Sequence, residues 1–374
     1  MDLSEKKKFA WLDTIRVFAS FAVIVGHYMT CFDNFTGFDN MRFIFFPAGN
    51  IGVFVFFILS GYLIPASLER SKSLWDFYRK KLIRVVVPFT VTYVVLGAIL
   101  MLIGLLQPSI AMFSPFQHAI YQSGTPWGII FAMFPVDVNL FKFFDWPLAW
   151  FVGEWFMGVL LFLFLIAPLL NKMIRRAPIA TLAVSIVIAT ATFYAFEDLA
   201  LQGRIVTPWW FPIARIPEFV FGMILFTYKD FLKTYRKKLL PAAEIWTVIV
   251  GMIFYISYAD LPCPTIIFRL FPIEPRSLLI VLSATYLIFE FANWLNEKFP
   301  KPLACFNDFS DISYMAMIIQ HVVLNIFSHE FDFEEFHTIG PPVMFVLIVI
   351  TIVYGSQVLK KFSDPVEQWL MKRK

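Results

Sequence analysis

The chain has 374 residues, of which 59% are hydrophobic and 19% aromatic against 16% charged, and its mean hydropathy is +0.72. That balance excludes an ordinary soluble domain and points to an all-α integral membrane protein. A net charge of +4 gives no general affinity for nucleic acid, and three cysteines cannot build a disulfide framework.

The first element is Trp11–Thr30. Lys6-Lys7-Lys8 before an apolar run suggests a signal peptide, but Asp13 and Arg16 lie inside the run and no small-residue cleavage site follows it. It is therefore expected to stay as the first transmembrane helix. On a helix, the eleven steps from Arg16 to His27 end about 20° past three full turns, so the two side chains share a face about 16 Å apart along the axis. Asp13 and Ser20 fall on the same side. A charge at mid-membrane costs at least about 2.5–3.5 kcal/mol, so this stripe is expected to face protein or a water-filled cavity.

Nine more apolar segments follow, at 50–68, 85–106, 148–170, 178–196, 208–227, 241–259, 277–295, 311–329 and 341–359. Several are short or open with proline, which leaves room for a half-crossing among them. With the N-terminus in the cytoplasm, 24 of the 31 Lys and Arg residues fall in inside loops and tails. The expected architecture is a bundle of about ten transmembrane helices with both termini cytoplasmic, in a single domain over 1–374. The outside loops 32–49, 107–147, 197–207 and 260–276 are rich in Phe, Trp, Pro and Asp and suit an aromatic belt or a lid. Cys31 and Cys263 share the outer side, with free thiols the expected state, and His118, His329 and His337 are expected in or near solvent.

The remaining intramembrane polar residues are candidates for a site. His27, near the outer end of the first helix, is either an interfacial histidine bonded to a carbonyl or a general base, since neutral imidazole accepts a hydroxyl proton near pH 7. Ser60-Gly61 in the second segment permits close helix approach. Lys81 and Arg84 belong to a basic cluster that is either a positive-inside anchor or a clamp for phosphates. Glu154, two turns into the fourth segment behind Trp150, either orients His27 or pairs with a base. Arg215 and Glu218, three apart, either neutralise each other or meet substrate. Tyr314 and His321, seven apart, share a face of the ninth segment, and His321 is either a core histidine with a bonded partner or part of the same cavity wall. No HExxH, CxxC, Walker-type or GxGxxG sequence is present, so neither metal chemistry nor nucleotide hydrolysis is expected.

Six of these stretches, in order, resemble the membrane acyltransferase family 3. LDTIRVFASFAVIVGH resembles its opening helix, with the arginine and histidine at Arg16 and His27; FFILSGYLI, Phe56 to Ile64, resembles its second-helix motif. KLIRVVVPF resembles the basic pair before its third helix, with Lys81 where arginine is usual. AWFVGEWFMGVLLFLFLIAPLL resembles the fourth block, without the tyrosine often found there and with an uncommon Trp150–Glu154 spacing. RIPEFVFGM and SYMAMIIQH resemble its arginine-proline-glutamate and late serine-aromatic-histidine segments.

The resemblance implies transfer of an acyl group, usually acetyl, from cytosolic acetyl-CoA or another acyl-CoA to a hydroxyl of an extracytoplasmic or lipid-linked carbohydrate, without a metal. It implies His27 as base with Glu154 tuning it. Arg16, Ser60, Lys81 and Arg84 would hold the cosubstrate, and Asp13, Trp150, Arg215, Glu218, Tyr314 and His321 would line the cavity. The partners are then acyl-CoA, a carbohydrate or glycolipid acceptor and the lipid bilayer, in a multi-pass protein of the inner or plasma membrane of the stand-alone type. A homo-oligomer is compatible with this but not required. The alternative is a polytopic carrier or export component for a polysaccharide intermediate.

Overall fold

The structure, a computed structural model, describes residues 10–31, 39–106, 133–136, 155–201, 210–258, 273–300, 305–330 and 340–372. The regular elements among these residues are all helical. They are α1 (Ala10–Cys31), α2 (Asp39–Glu69), α3 (Leu74–Leu106), α4 (Trp155–Arg176), α5 (Pro178–Leu201), α6 (Ile216–Thr227), α7 (Lys229–Tyr258), α8 (Ile273–Lys298), α9 (Cys305–Glu330) and α10 (Gly340–Lys372), with a 3-10 turn at Pro212–Arg215 before α6. In lipid the backbone must satisfy its own polar groups, and helices do this within one segment. Hydroxyls in these helices bond back onto their own carbonyls, as Ser20 donates to Arg16 O at 2.9 Å, Thr30 to Gly26 O at 3.0 Å and Ser356 to Ile352 O at 2.6 Å.

These ten helices follow the ten apolar segments in order. Seven of them, α1 to α5, α9 and α10, are long and apolar enough to cross a membrane. The segment at 208–227 departs most from expectation. Prolines 212 and 217 restrict it to a 3-10 turn followed by the 12-residue α6, which rises about 18 Å against a hydrocarbon core of about 30 Å. α7 begins well before the apolar stretch, in the exposed basic run that includes Lys233, Arg236, Lys237 and Lys238.

The chain separates into two compact units, each of three segments. The first comprises Met1–Ile15, Phe54–Phe77 and Phe162–Leu303. Its tightest contact is between α2 and α6, where Gly61 meets the Phe219 carbonyl and Gly222 meets the Ile58 carbonyl with no room for a methyl group on either. Small residues at such a crossing let two backbones approach closely. Around it Tyr62 packs edge-on against Trp11, Phe226 and Phe289 at ring-centroid distances of 5.5, 5.3 and 5.7 Å. Asn296 of α8 donates to Thr14 Oγ1 at 3.1 Å, and Thr247 of α7 donates to Ser283 Oγ of α8 at 2.8 Å.

The second unit comprises Arg16–Val53, Tyr78–Leu161 and Ala304–Lys374. Here α9 packs along α10, with Ile319 against Gly355. Phe345 of α10 meets Phe21 and Tyr28 of α1 at 5.7 and 5.1 Å. α2 crosses α1 on glycine: Gly49 faces Gly26, and Gly52 faces Ala19 and Val23. α9 is the most enclosed part of this unit, with Ile318, Gln320 and Leu324 fully buried. By contrast α10 leaves Val343, Val346, Ile350 and Tyr354 exposed, an apolar face that a bilayer covers.

Candidate active site

The second unit brings two intramembrane histidines together. The rings of His27 on α1 and His321 on α9 lie 4.2 Å apart, centroid to centroid, at an interplanar angle of 46°. Eleven residues earlier on each helix, Arg16 Nη1 donates to Ser310 Oγ at 3.4 Å. Equal spacing on both helices means that α1 and α9 run parallel and in step over about 16 Å, the rise of eleven helical residues. Phe18 packs edge-on against Phe306 at 5.5 Å on the same pair. The guanidinium and the imidazole of α1 therefore both turn toward α9, as the 20° offset between them predicts.

α9 presents its polar residues at helical spacing. Ser310, Tyr314, His321, Asn325 and Ser328 recur at intervals of four, seven, four and three residues, which is one stripe. Ser313 Oγ donates to Ser310 O at 2.8 Å, which secures the start of that stripe. The Tyr314 hydroxyl donates to Val85 O of α3 at 2.7 Å. That carbonyl adjoins the weak point of α3: Pro88 has no N–H, so the carbonyl of Arg84 loses its ordinary helical donor. Thr92 of α3 donates to Met315 Sδ at 3.5 Å one turn further on. The stripe carrying His321 is thus bonded to the helix carrying the basic pair.

At the start of α3, Lys81 is half-buried and Arg84 exposed. Arg79 reaches α10 and donates to Leu370 O at 3.4 Å and Met371 O at 3.2 Å. Carbonyls in a last helical turn lack intrahelical partners and carry the negative end of the helix dipole, so they hold a guanidinium well. Arg79 is engaged in that task, and Arg84 is the most exposed cation of the cluster, beside the half-buried Lys80 and Lys81.

The residue match is decisive. The family model described as an acyltransferase domain, that of acyltransferase family 3, covers residues 9–361. This chain belongs to acyltransferase family 3. Neither the curated proteins nor the solved structures compared with it give a match. The protein is accordingly a membrane acyltransferase, multi-pass by its helices.

Other candidate residues of the acyltransferase fall elsewhere. Arg215 and Glu218 lie in the first unit, where Arg215 Nη1 donates to Glu218 Oε1 at 2.8 Å with both side chains about as buried as any in the protein, at 2% and 1% exposure. Arg215 also sits over the rings of Phe54 and Phe193, at 5.1 and 5.6 Å. The sequence left two roles open for this pair, and the structure places the two side chains in one buried ion pair. Ser60 is half-buried beside Gly61 at the α2–α6 crossing, and Asp13 is half-buried in the first turn of α1. Trp150, Glu154, Cys263, His118 and His337 lie outside the described residues, as do the side chains of Cys31 and His329.

Sequence reasoning passed over Ser310 and Asn325. Both stand at four-residue intervals from the Tyr314–His321 stripe, and that periodicity was the available signal. Nothing in the sequence announces the carbonyl of Val85, which matters only because Tyr314 reaches it.

Proposed function

We propose that this acyltransferase moves an acyl group, acetyl in the first instance, from acyl-CoA on the cytoplasmic side to a hydroxyl of an extracytoplasmic or lipid-linked carbohydrate. The observation that carries the proposal is the contact of His27 with His321 on helices that also bring Arg16 to Ser310. In this reading ten helical segments span or enter the membrane with both termini in the cytoplasm, which puts the Lys81–Arg84 end of α3 at the inner face and His27 toward the outer one. The slender pantetheine arm then has about 16 Å to run between the level of Arg16 and that of His27.

The chemistry is a balanced acyl exchange. His27 takes the proton of the acceptor hydroxyl as its oxygen attacks the thioester carbonyl carbon. The tetrahedral intermediate collapses with breakage of the carbon–sulfur bond, and the departing thiolate recovers the proton from the imidazolium. Products are the carbohydrate ester and free coenzyme A. His321, against the ring of His27, acts as a positioning residue. Arg84, with Lys81, holds phosphate through charge-assisted bonds, for which guanidinium is the better fork.

The test uses membranes or lipid nanodiscs containing the full chain and acetyl-CoA labelled in the acetyl group. Label should enter the glycan or glycolipid fraction with stoichiometric release of coenzyme A. His27→Ala should abolish transfer without loss of inserted protein, and His321→Ala should lower the rate less. His27→Ala protein that transfers at the original rate would remove the base assignment. Absence of any acetyl-CoA consumption would remove the donor.

A further inference from the structure

On α9 the buried Gln320 and the half-buried Asn325 each hold a sealed side-chain atom that lacks a partner among the described residues. Gln320 Oε1 accepts nothing, although its Nε2 donates to Met317 Sδ at 3.7 Å. Asn325 Nδ2 is sealed from solvent and donates to nothing. Leaving a buried N–H without an acceptor costs about 1–3 kcal/mol, so such groups call for an explanation. The position of Asn325 supplies one. It follows His321 by four residues, hence about 6 Å further along the axis and on the same helical face. Gln320 is turned about 100° away from His321.

We infer that Asn325 is a substrate-binding residue whose amide N–H donates to the carbonyl oxygen of the acyl thioester and to the oxyanion formed from it. This rests on the acyl-transfer reading above and extends it. An N–H beside the imidazole pair could meet either of two substrate oxygens. Donation to the attacking hydroxyl would withdraw electron density from the nucleophile that His27 is deprotonating. Donation to the thioester carbonyl polarises it, and strengthens as negative charge gathers there in the transition state. The carbonyl oxygen only accepts hydrogen bonds, which matches the N–H that this amide leaves without a partner. The amide is neutral, so it needs no counter-charge in an apolar helix bundle while the site is empty.

The experiment compares Asn325→Leu, Asn325→Gln and His27→Ala in the full chain, reading labelled acetyl transfer at saturating acetyl-CoA, affinity for free coenzyme A, and thermal unfolding. Leucine keeps the branched shape of the side chain, at a somewhat larger volume, and removes the donor. Its transfer rate should fall about 10²–10³-fold, the usual consequence of deleting one oxyanion donor, with affinity for free coenzyme A, which has no acyl carbonyl, within about twofold. Its unfolding temperature should be equal or higher, because a buried unmet N–H has been removed. Glutamine should recover part of the rate. A rate for Asn325→Leu within about threefold of the parent, with His27→Ala inactive, would overturn the inference and leave the acyl-transfer reading intact. So would a joint fall in rate and unfolding temperature, which marks a structural amide. No transfer by the parent protein would overturn both.

Discussion

Gly52→Ala tests the link from packing to chemistry most directly. A β-carbon on Gly52 would stand 2.6 Å from Ala19 O and 2.7 Å from Val23 Cγ2 of α1. Val23 can rotate, but the Ala19 carbonyl is backbone and cannot. Restoring an ordinary contact of 3.4 Å requires α1 and α2 to separate by about 0.8 Å there. Ala19 and Val23 lie between Arg16 and His27, so α1 shifts just where those two side chains face α9. Overpacking of this kind costs about 1–3 kcal/mol of stability. A displacement approaching 1 Å at a catalytic group costs about 10²-fold in rate, so a loss of about 10- to 100-fold is expected here. Gly49→Ala is the graded control: its β-carbon would be 3.0 Å from Gly26 Cα, needs only about 0.4 Å of relief, and should do less harm. Thermal unfolding of the purified protein and labelled acetyl transfer give the two readings. The reasoning is refuted if Gly52→Ala matches the parent in both, or if Gly49→Ala is the worse of the two.

Three further outcomes are expected. At the α2–α6 crossing, Gly61→Ala and Gly222→Ala each place a methyl group inside the opposing backbone, and each should cost about 3 kcal/mol or more; the double variant should cost less than the sum, since one separation of the helices accommodates both. Arg215→Leu alone strands the Glu218 carboxylate and should destabilise by about 3–5 kcal/mol, whereas Arg215→Met with Glu218→Leu should recover most of that, measured by thermal unfolding. Arg84→Ala should raise the KM for acetyl-CoA several-fold, about 1 kcal/mol for one exposed charge-assisted contact, with kcat little changed; an unaltered KM counts against the phosphate clamp.

Much of the helical order was legible because bilayer thickness and hydrogen-bond satisfaction act on each segment separately. The ten apolar stretches correspond to ten helices for that reason, and the polar stripe of α1 turned Arg16 and His27 to one side by helical period alone. Ends were less legible. α7 begins in a basic run, since lysine and arginine favour helix as readily as apolar residues do. α6 is short because prolines 212 and 217 confine the chain before it.

The sequence by itself determined the class of protein, the family, and the face on which each intramembrane polar residue lies, because these follow from composition and from period along a single helix. Tertiary structure decided which of those residues meet. Only the parallel, in-step packing of α1 on α9 joins His27 to His321 and Arg16 to Ser310, and only the approach of α9 to α3 gives Tyr314 the carbonyl of Val85. Period fixes direction about one axis, whereas contact depends on which helix stands opposite and at what height. Those are set by glycine crossings and aromatic packing spread over distant parts of the chain.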